Sequence, residues 1–153
     1  MEHYIDIQHV SFTYQGSGRE PLLAVDQVTV SAEKGSHIAI LGRNGSGKST
    51  LARLINALEL PSEGTVVIQG MRTDDDAQVW EIRKLCGMVF QNPDNQIVGT
   101  TVEEDVAFGP ENLGFPTEKI REAVDQALIF VGLDDVPDRA PHLLSGGQKQ
   151  KLA

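Results

Sequence analysis

The amino-acid sequence predicts an α/β fold, and three observations along its 153 residues lead to this class. The N-terminal part has two segments of alternating apolar residues joined by a short turn-rich loop, which is typical of antiparallel strands. A short apolar strand then leads into a glycine-rich turn and an amphipathic helix, as in a parallel α/β core. The C-terminal half adds helical periodicities with recognisable caps.

Composition excludes several classes of protein. The chain is 40% hydrophobic and 23% charged, which suits one globular domain with a sizeable core. Its formal net charge of −9 argues against nucleic-acid binding, because such proteins usually carry a basic surface. Cys86 is the only cysteine, so no internal disulfide can form. No segment has the length of a membrane span or the pattern of a signal peptide, so any membrane role is expected to be peripheral.

The N-terminal residues predict a small antiparallel β layer. Residues 4–14 predict a first strand whose apolar alternation changes phase, so we expect a β-bulge near His9. Residues 15–21 predict a hairpin loop, and residues 23–30 predict a second strand with another irregularity. Strands joined by a short loop are antiparallel, so this layer is expected to be attached to the α/β core.

The segment 37–58 carries the clearest chemical pattern. Residues 38–41 predict a strand, and the turn after it matches the phosphate-binding P-loop from Gly42 to Lys48 and Ser49. Glycines let backbone N–H groups approach an oxyanion, and the start of the following helix adds partial positive charge. Lys48 would contact the β- and γ-phosphates, and the Ser49 hydroxyl would ligate Mg²⁺. The alternative is a turn that binds nothing, but the strand–turn–helix context favours nucleotide binding.

The residues after the P-loop helix predict two strands and a helix. The strands are expected at 65–69 and 86–90, and an amphipathic pattern covers 79–85. We interpret the acidic run at 74–76 as the N-cap and dipole partner of that helix rather than as a metal site. Gln91 follows the second strand, where α/β sheets often meet ligands, although an ordinary polar strand end fits equally well.

Two helices are predicted between 101 and 132. Thr101 and Glu104 have capping-box spacing for a short helix over 102–107. Residues 117–131 have helical periodicity and end at a glycine. Residues 128–135 could instead be an apolar strand ending in acids, as in a Mg²⁺-binding segment. The helical phase argues against that interpretation.

A second motif lies near the C-terminus, in the string Leu144-Ser145-Gly146-Gly147-Gln148. Ser145 and Gln148 have capping-box spacing, so a helix is expected to begin here with two glycines at its N-terminus. Such an end can bind phosphate through its bare N–H groups and the helix dipole. The alternative is simply a well-capped helix, and the P-loop upstream favours a binding role.

The two motifs together resemble those of an ATP-binding cassette (ABC) ATPase. The string at 144–148 matches the signature of that family, in the right order after the P-loop and Gln91. The resemblance implies that Tyr14 stacks on adenine, and that Gln91 joins Mg²⁺ and the attacking water and senses a membrane partner. It also implies that Ser145–Gln148 contact the γ-phosphate of ATP held by a second, facing ATPase subunit.

The resemblance therefore implies a complete set of site residues. Those that bind ATP would be Tyr14, Gly42, Arg43, Asn44, Gly45, Ser46, Gly47, Lys48, Ser49, Thr50, Gln91, Ser145, Gly146, Gly147 and Gln148. Lys48 and Gln91 would be catalytic, and Ser49 and Gln91 would ligate Mg²⁺.

Residues 86–116 are similar to energy-coupling factor (ECF) ATPases of cobalt and vitamin importers, and NPDNQ resembles the first of their two paralogous ATPase subunits. This implies a peripheral subunit on the cytoplasmic face of the cell membrane. With a second ABC ATPase subunit it would hydrolyse ATP to energise uptake of vitamins or metal ions. A membrane scaffold (T) component would dock on residues 92–100, and a substrate-binding (S) component would be reached indirectly. Ile97 and Val98 are apolar in this turn-rich loop, which favours docking over simple burial in the core.

The resemblance also implies how the chain is organised. The β layer would comprise 1–36 and 61–70, the P-loop (RecA-like) core 37–60 and 71–91, and the Q-loop with an incomplete helical subdomain 92–153. No apolar strand ending in Asp-Glu and no switch histidine follow the signature. We therefore expect a truncated chain with a gap in its central sheet, which hydrolyses ATP no faster than a Lys48→Ala variant. The alternatives are a soluble, non-transport ABC-type ATPase and a nucleotide-binding fragment without hydrolytic activity.

Overall fold

A computed structural model describes residues 3–16 and 20–153 of the chain. The chain divides into two compact units, residues 1–88 and 89–153, and each has its own apolar core. The hairpin loop predicted at 15–21 includes residues 17–19, which lie outside the described residues. The helices and strands are β1 (Ile5–Tyr14), β2 (Leu22–Ala32), α1 (Lys48–Ile55), β3 (Glu63–Ile68), β4 (Met71–Arg72), α2 (Val79–Leu85), α3 (Val102–Asn112), α4 (Thr117–Val131) and α5 (Gly146–Leu152), with 3₁₀ turns at Pro93–Asn95 and Pro141–Leu143.

The first unit contains an antiparallel sheet with the strand order β2-β1-β3-β4. The predicted N-terminal β layer is therefore confirmed. The register of β1 against β2 shifts between Ile7 and Val10, and His9 has a φ of 50°. Gln27 in β2 has a φ of 47°, and its N–H donates to Ser11 Oγ at 3.0 Å. Both predicted strand irregularities are thus present, because each places one residue outside the regular ladder.

The core of the first unit holds the P-loop helix against this sheet. Leu54 of α1, Ile68 of β3 and Ile82 of α2 are fully buried within one apolar cluster. Burial of each such side chain stabilises the fold by about 1.5–3 kcal/mol, so α1 has a fixed position next to the sheet. This fixes where the N-terminus of α1 lies.

Two predicted strands do not form among the described residues. Residues 38–41 and 86–90 have no strand conformation, and Leu41 is 91% and Val89 71% exposed. A strand requires a neighbour whose backbone pairs with its N–H and C=O groups. None of β1 to β4 forms a ladder with either segment. The apolar composition of the two segments predicts strands, but a strand also needs a neighbouring strand to pair with, which composition alone does not provide.

The acidic run at 74–76 does not cap α2. The N-cap of α2 is Gln78, and no side chain caps it. Asp74 instead forms an ion pair with Arg72 at 2.6 Å, and Asp75 accepts a hydrogen bond from the N–H of Ala77 at 3.0 Å. The hydrogen bond from Arg72 lowers the pKa of the Asp74 carboxyl. The predicted N-cap role of this run is wrong. The Asp74 carboxylate pairs with the Arg72 guanidinium, and the Asp75 carboxylate accepts a hydrogen bond within a local turn.

The second unit is built around α3 and α4. Its core includes Val102, Val124, Leu128 and Leu133, all at most 3% exposed. The Thr101 capping box is present, as predicted, but α3 continues beyond 107 to Asn112. The amide of Asn112 donates to the carbonyl of Phe108 at 2.8 Å and so satisfies one carbonyl at the end of the helix.

The helix α4 has the predicted bounds. It runs from Thr117 to Val131, and Gly132 ends it in the left-handed region at φ 66° and ψ 52°. Glycine takes this conformation without the steric cost of a Cβ, which makes it a common helix terminator. The strand alternative for 128–135 is excluded, since its first four residues belong to α4.

Candidate nucleotide-binding site

The P-loop residues form a turn that leads directly into α1. Gly45 and Gly47 have φ values of 81° and 86°, and Gly47 is the N-cap of α1. No side chain caps this helix in the described chain. The N–H groups of the first turn are therefore left for an external acceptor, and the helix dipole favours an anion there.

Gly47 is required because the backbone of β2 comes very close to it, whereas Gly42 comes close only to a side chain. A Cβ at Gly47 would lie 2.2 Å from the carbonyl oxygen of Ala24 in β2, and a Cβ at Gly42 would lie 2.5 Å from Ser46 Oγ. A larger residue at Gly47 would clash with the backbone of β2, whereas at Gly42 the Ser46 side chain can rotate aside. The conformation of the loop at Gly47 therefore depends on the absence of a side chain there.

The Lys48 ammonium lies over the loop. Its Nζ donates to the carbonyl of Gly42 at 2.9 Å and to that of Arg43 at 2.7 Å. Ser49 is exposed at the start of α1, whereas Thr50 is only 7% exposed. The turn residues at 43–46 are also exposed. The structure therefore brings a cation, an exposed hydroxyl and the uncapped helix start to one end of α1.

Tyr14 lies at the end of β1, where its hydroxyl meets the P-loop helix. The Tyr14 Oη lies 3.2 Å from Thr50 Oγ1, and either hydroxyl can be the donor. The ring of Tyr14 also packs edge-to-face on Phe12, with ring centroids 4.8 Å apart and an interplanar angle of 86°. Sequence reasoning missed the Thr50 contact, because nothing in the local pattern links two residues 36 positions apart.

Gln91 and the segment after it belong to the second unit. Gln91 is exposed and precedes the 3₁₀ turn at Pro93–Asn95. Val98 is 61% exposed and Ile97 is partly buried, so the alternative that both side chains are tucked into the core does not hold for Val98. The Asp105 carboxylate accepts hydrogen bonds of 2.7 Å from the N–H groups of Val98 and Gly99. These bonds hold the backbone at Val98 and Gly99, and the Val98 side chain lies exposed on the surface of this unit.

The signature motif forms the predicted capped helix start. Gln148 N–H donates to Ser145 Oγ at 3.3 Å, and Ser145 N–H donates to Gln148 Oε1 at 3.0 Å, which completes a capping box. Gly146 and Gly147 are exposed, and a Cβ on either would meet no atom within 4 Å. This surface is thus open to a ligand or a partner.

Two polar contacts, which sequence reasoning missed, join α5 and its C-cap residue to the segment after Gln91. Lys149 Nζ lies 2.6 Å from Asp94 Oδ1, and Gln96 Nε2 donates to the carbonyl of Ala153 at 2.7 Å. Opposite charges 55 residues apart give no local signal in a sequence. Within the second unit, these contacts hold the signature helix to the segment that follows Gln91.

The helices of the second unit give no sign of a transmembrane segment, and the same is true of the first. Among residues 3–16 and 20–153, no helix combines the length and the apolar character needed to cross a bilayer.

Comparison with known proteins defines the class of this chain. Residues 25–153 match the family model described as ABC transporter. The chain belongs to the ABC transporter family, and the resemblance predicted from the P-loop and signature is confirmed.

The curated relatives are more specific. The energy-coupling factor transporter ATP-binding protein EcfA1 of Clostridium novyi (strain NT) is 54% identical over 152 residues, which cover 99% of this chain and 54% of the relative. The protein of the same name from Clostridioides difficile (strain 630) is 50% identical over 153 residues, which cover 100% of this chain and 55% of the relative. The chain spans about half the length of the curated relatives it matches.

Solved structures confirm the fold class. The structure of cbiO1 from Clostridium perfringens, described as part of the ABC transporter complex cbiONQ, matches with a TM-score of 0.82 and 33% identity. That match covers 99% of this chain and 59% of cbiO1. The ATP-binding cassette MJ0796, in a dimeric post-hydrolysis state bound to ADP and Pi, matches with a TM-score of 0.82 and 31% identity, covering 97% and 66% of the two chains.

Proposed function

We propose that this chain is part of the ATP-binding subunit of an energy-coupling factor importer. The observation that carries the proposal is the P-loop, where Gly45 and Gly47 hold a left-handed backbone and the uncapped start of α1 lies beside Lys48. This arrangement suits a triphosphate, and curated relatives about half identical to the chain are named ECF transporter ATP-binding proteins.

Each site residue then has a role in ATP binding. The ring of Tyr14 stacks on adenine, the loop from Gly42 to Thr50 binds the phosphates, and the Lys48 ammonium exchanges its two carbonyl partners for phosphate oxygens. Ser49 and Gln91 would hold Mg²⁺, which when bound neutralises charge on the phosphates. The exposed motif of Ser145–Gln148 contacts the γ-phosphate bound by a second ABC ATPase subunit, as the resemblance implies.

The proposal extends to the place of the subunit in the importer. The segment 92–100, with Val98 held outward by the bonds to Asp105, docks on a membrane scaffold component and so reaches a substrate-binding component indirectly. The complete subunit lies at the cytoplasmic face of the cell membrane and hydrolyses ATP to energise uptake of vitamins or metal ions. No nucleic acid is involved. The names of the relatives favour this role over that of a soluble, non-transport ATPase.

We further propose that the cassette is organised as the resemblance implies. Residues 1–36 and 61–70 form the β layer, 37–60 and 71–91 form the P-loop core, and 92–153 form the Q-loop and helical subdomain.

ATP binding is tested by thermal unfolding of the purified chain. Mg-ATP at about 100 times its Kd should stabilise the fold by about 2.7 kcal/mol. The Lys48→Ala variant, which lacks the ammonium, should show a much smaller shift. If Mg-ATP leaves the melting temperature of the wild-type chain unchanged, the proposal is wrong.

The docking surface is tested by co-purification with the scaffold component. Val98→Asp places a charge on the exposed apolar side chain and should abolish co-purification. Leu143→Asp is the matched control, because Leu143 is an equally exposed apolar residue outside 92–100. Equal retention of the scaffold by both variants would contradict docking at this segment.

A further inference from the structure

The side chain of Tyr14 is held by two contacts that adenine stacking does not require. Its ring packs edge-to-face with that of Phe12, and its hydroxyl lies 3.2 Å from the hydroxyl of Thr50. Both partners are nearly buried, at 8% exposed for Phe12 and 7% for Thr50. The ring is therefore attached to two fixed points, one on β1 and one on α1.

The position of Thr50 makes the hydroxyl contact informative. Thr50 is the third residue of α1, directly after Lys48 and Ser49. A hydroxyl can accept one hydrogen bond and donate another, so Thr50 can accept from Tyr14 while its own O–H points to a further acceptor. Away from bulk water such a bond is stronger than in solution. The contact thus ties the tyrosine ring to the first turn of the P-loop helix.

We propose that the hydrogen bond between Tyr14 and Thr50 is a positioning contact that couples recognition of the nucleotide base to recognition of its phosphates. The ring contacts the base, while its hydroxyl fixes the ring at a set position relative to α1. Binding then costs less ordering of the ring, because the free protein already holds it in place. This inference rests on the proposed ATP-binding function of the P-loop.

The test compares two ligands that share the phosphates and differ in the base. Affinities for ATP and for inorganic tripolyphosphate are measured by calorimetry with the wild-type chain and with Tyr14→Phe, which keeps the ring and removes the hydroxyl. Loss of one hydrogen bond should lower the affinity for ATP by about three- to tenfold. The affinity for tripolyphosphate should change less than about twofold, since it has no base to be positioned. General loss of folding would instead lower both affinities equally.

Variants of Thr50 supply the matched controls. Thr50→Ser keeps the hydroxyl and should retain the wild-type ratio of ATP to tripolyphosphate affinity. Thr50→Val removes the hydroxyl and should lower this ratio as much as Tyr14→Phe does. Because both changes break the same bond, the double variant should have the same ratio as either single variant.

The outcomes separate this inference from the function on which it rests. If ATP binds and Lys48→Ala abolishes binding, but Tyr14→Phe leaves the affinity ratio unchanged, the positioning contact is wrong and the proposed function stands. The coupling is also wrong if the double variant lowers the ratio of ATP to tripolyphosphate affinity by the product of the two single-variant factors. If the wild-type chain binds no ATP, both proposals fail.

Discussion

Gly47 has the most constrained backbone of the P-loop. It combines a φ of 86° with a position where a Cβ would lie 2.2 Å from the carbonyl oxygen of Ala24. Because that atom belongs to the backbone of β2, it cannot rotate away as a side chain could. The conformation of this loop is therefore maintained by the packing of α1 against the sheet.

Gly47→Ala should lower the free energy of unfolding by at least about 1–3 kcal/mol, because strain at φ adds to the backbone clash. Urea denaturation measures the change. Gly87→Ala is the control: a Cβ there meets no atom within 4 Å, and the φ of Gly87 lies outside the left-handed region. That variant should be at least as stable as the wild type, because alanine restricts the unfolded chain. A Gly47→Ala variant as stable as the wild type would contradict the close approach.

Thr73 presents a second local feature, in the core of the first unit. It is fully buried, and its Oγ1 has no hydrogen-bond partner among the residues that the structure describes. Its backbone N–H donates to the carbonyl of Val66 at 3.0 Å and so is satisfied. An unpaired buried hydroxyl costs about 1–3 kcal/mol.

Thr73→Val should therefore raise the free energy of unfolding by about 1 kcal/mol, since valine has nearly the same shape and no polar atom. Chemical denaturation again provides the measurement. Ser11→Ala is the matched control, because the buried Ser11 hydroxyl accepts a hydrogen bond from the N–H of Gln27 at 3.0 Å. That variant should be less stable than the wild type. If both variants shift stability in the same direction, the hydroxyl of Thr73 has a partner in solution.

Among the helices, α3 has the most elaborate N-terminus. The Glu104 carboxylate accepts hydrogen bonds from the hydroxyl and N–H of Thr100 and from the N–H of Thr101. These bonds lower the pKa of the Glu104 carboxyl, and the Thr100 hydroxyl is the largest cause. The same end of the helix holds the loop that exposes Val98, through Asp105. Capping of α3 thus orders the proposed docking segment.

The stability that Glu104 contributes should depend on pH in one direction. A carboxyl whose pKa is lower in the folded state stabilises fully above its unfolded pKa, which is about 4.3 for glutamate. The contribution is lost as the pH falls below that value through the folded pKa. The difference in unfolding free energy between the wild type and Glu104→Gln should shrink over that range. Denaturation at several pH values checks this, and a difference that grows towards low pH would contradict it.

The whole chain carries 22 acidic and 13 basic residues, a net charge of −9. The four ion pairs formed by described residues lie largely at the surface, where each contributes little. The excess acidic side chains repel one another in the folded state. The Lys48 site is thus a local positive feature on an acidic protein.

Salt should therefore stabilise this protein. Raising the salt concentration from about 0.01 M to about 0.15 M shortens the screening length from about 30 Å to about 8 Å. The melting temperature should rise by about 2–4 °C for each kcal/mol of repulsion that is removed. At a pH where the net charge is near zero, the same change should have a smaller effect. A melting temperature that falls with salt at neutral pH would show that attractive pairs dominate.

Features that depend on a few neighbouring residues were predictable from the sequence alone. The capping boxes at Thr101 and Ser145, the end of α4 at Gly132 and the bulge at His9 follow from spacing within one turn or one strand. The P-loop and signature motifs, which identify the ABC family, are equally local. The hydrogen bonds and steric contacts that produce these features join residues a few positions apart, so the residue types already specify the local conformation.

Features that depend on residues far apart in the chain came only from the folded structure. Apolar composition at 38–41 and 86–90 predicted strands, yet neither segment has a strand neighbour among the described residues. The contact of Tyr14 with Thr50 and the ion pair of Asp94 with Lys149 join residues 36 and 55 positions apart. Such contacts form when packing brings distant segments together, so the spacing of residues within one segment does not predict them. The motifs therefore identify the residues that we propose bind nucleotide, whereas tertiary packing determines how those residues are held.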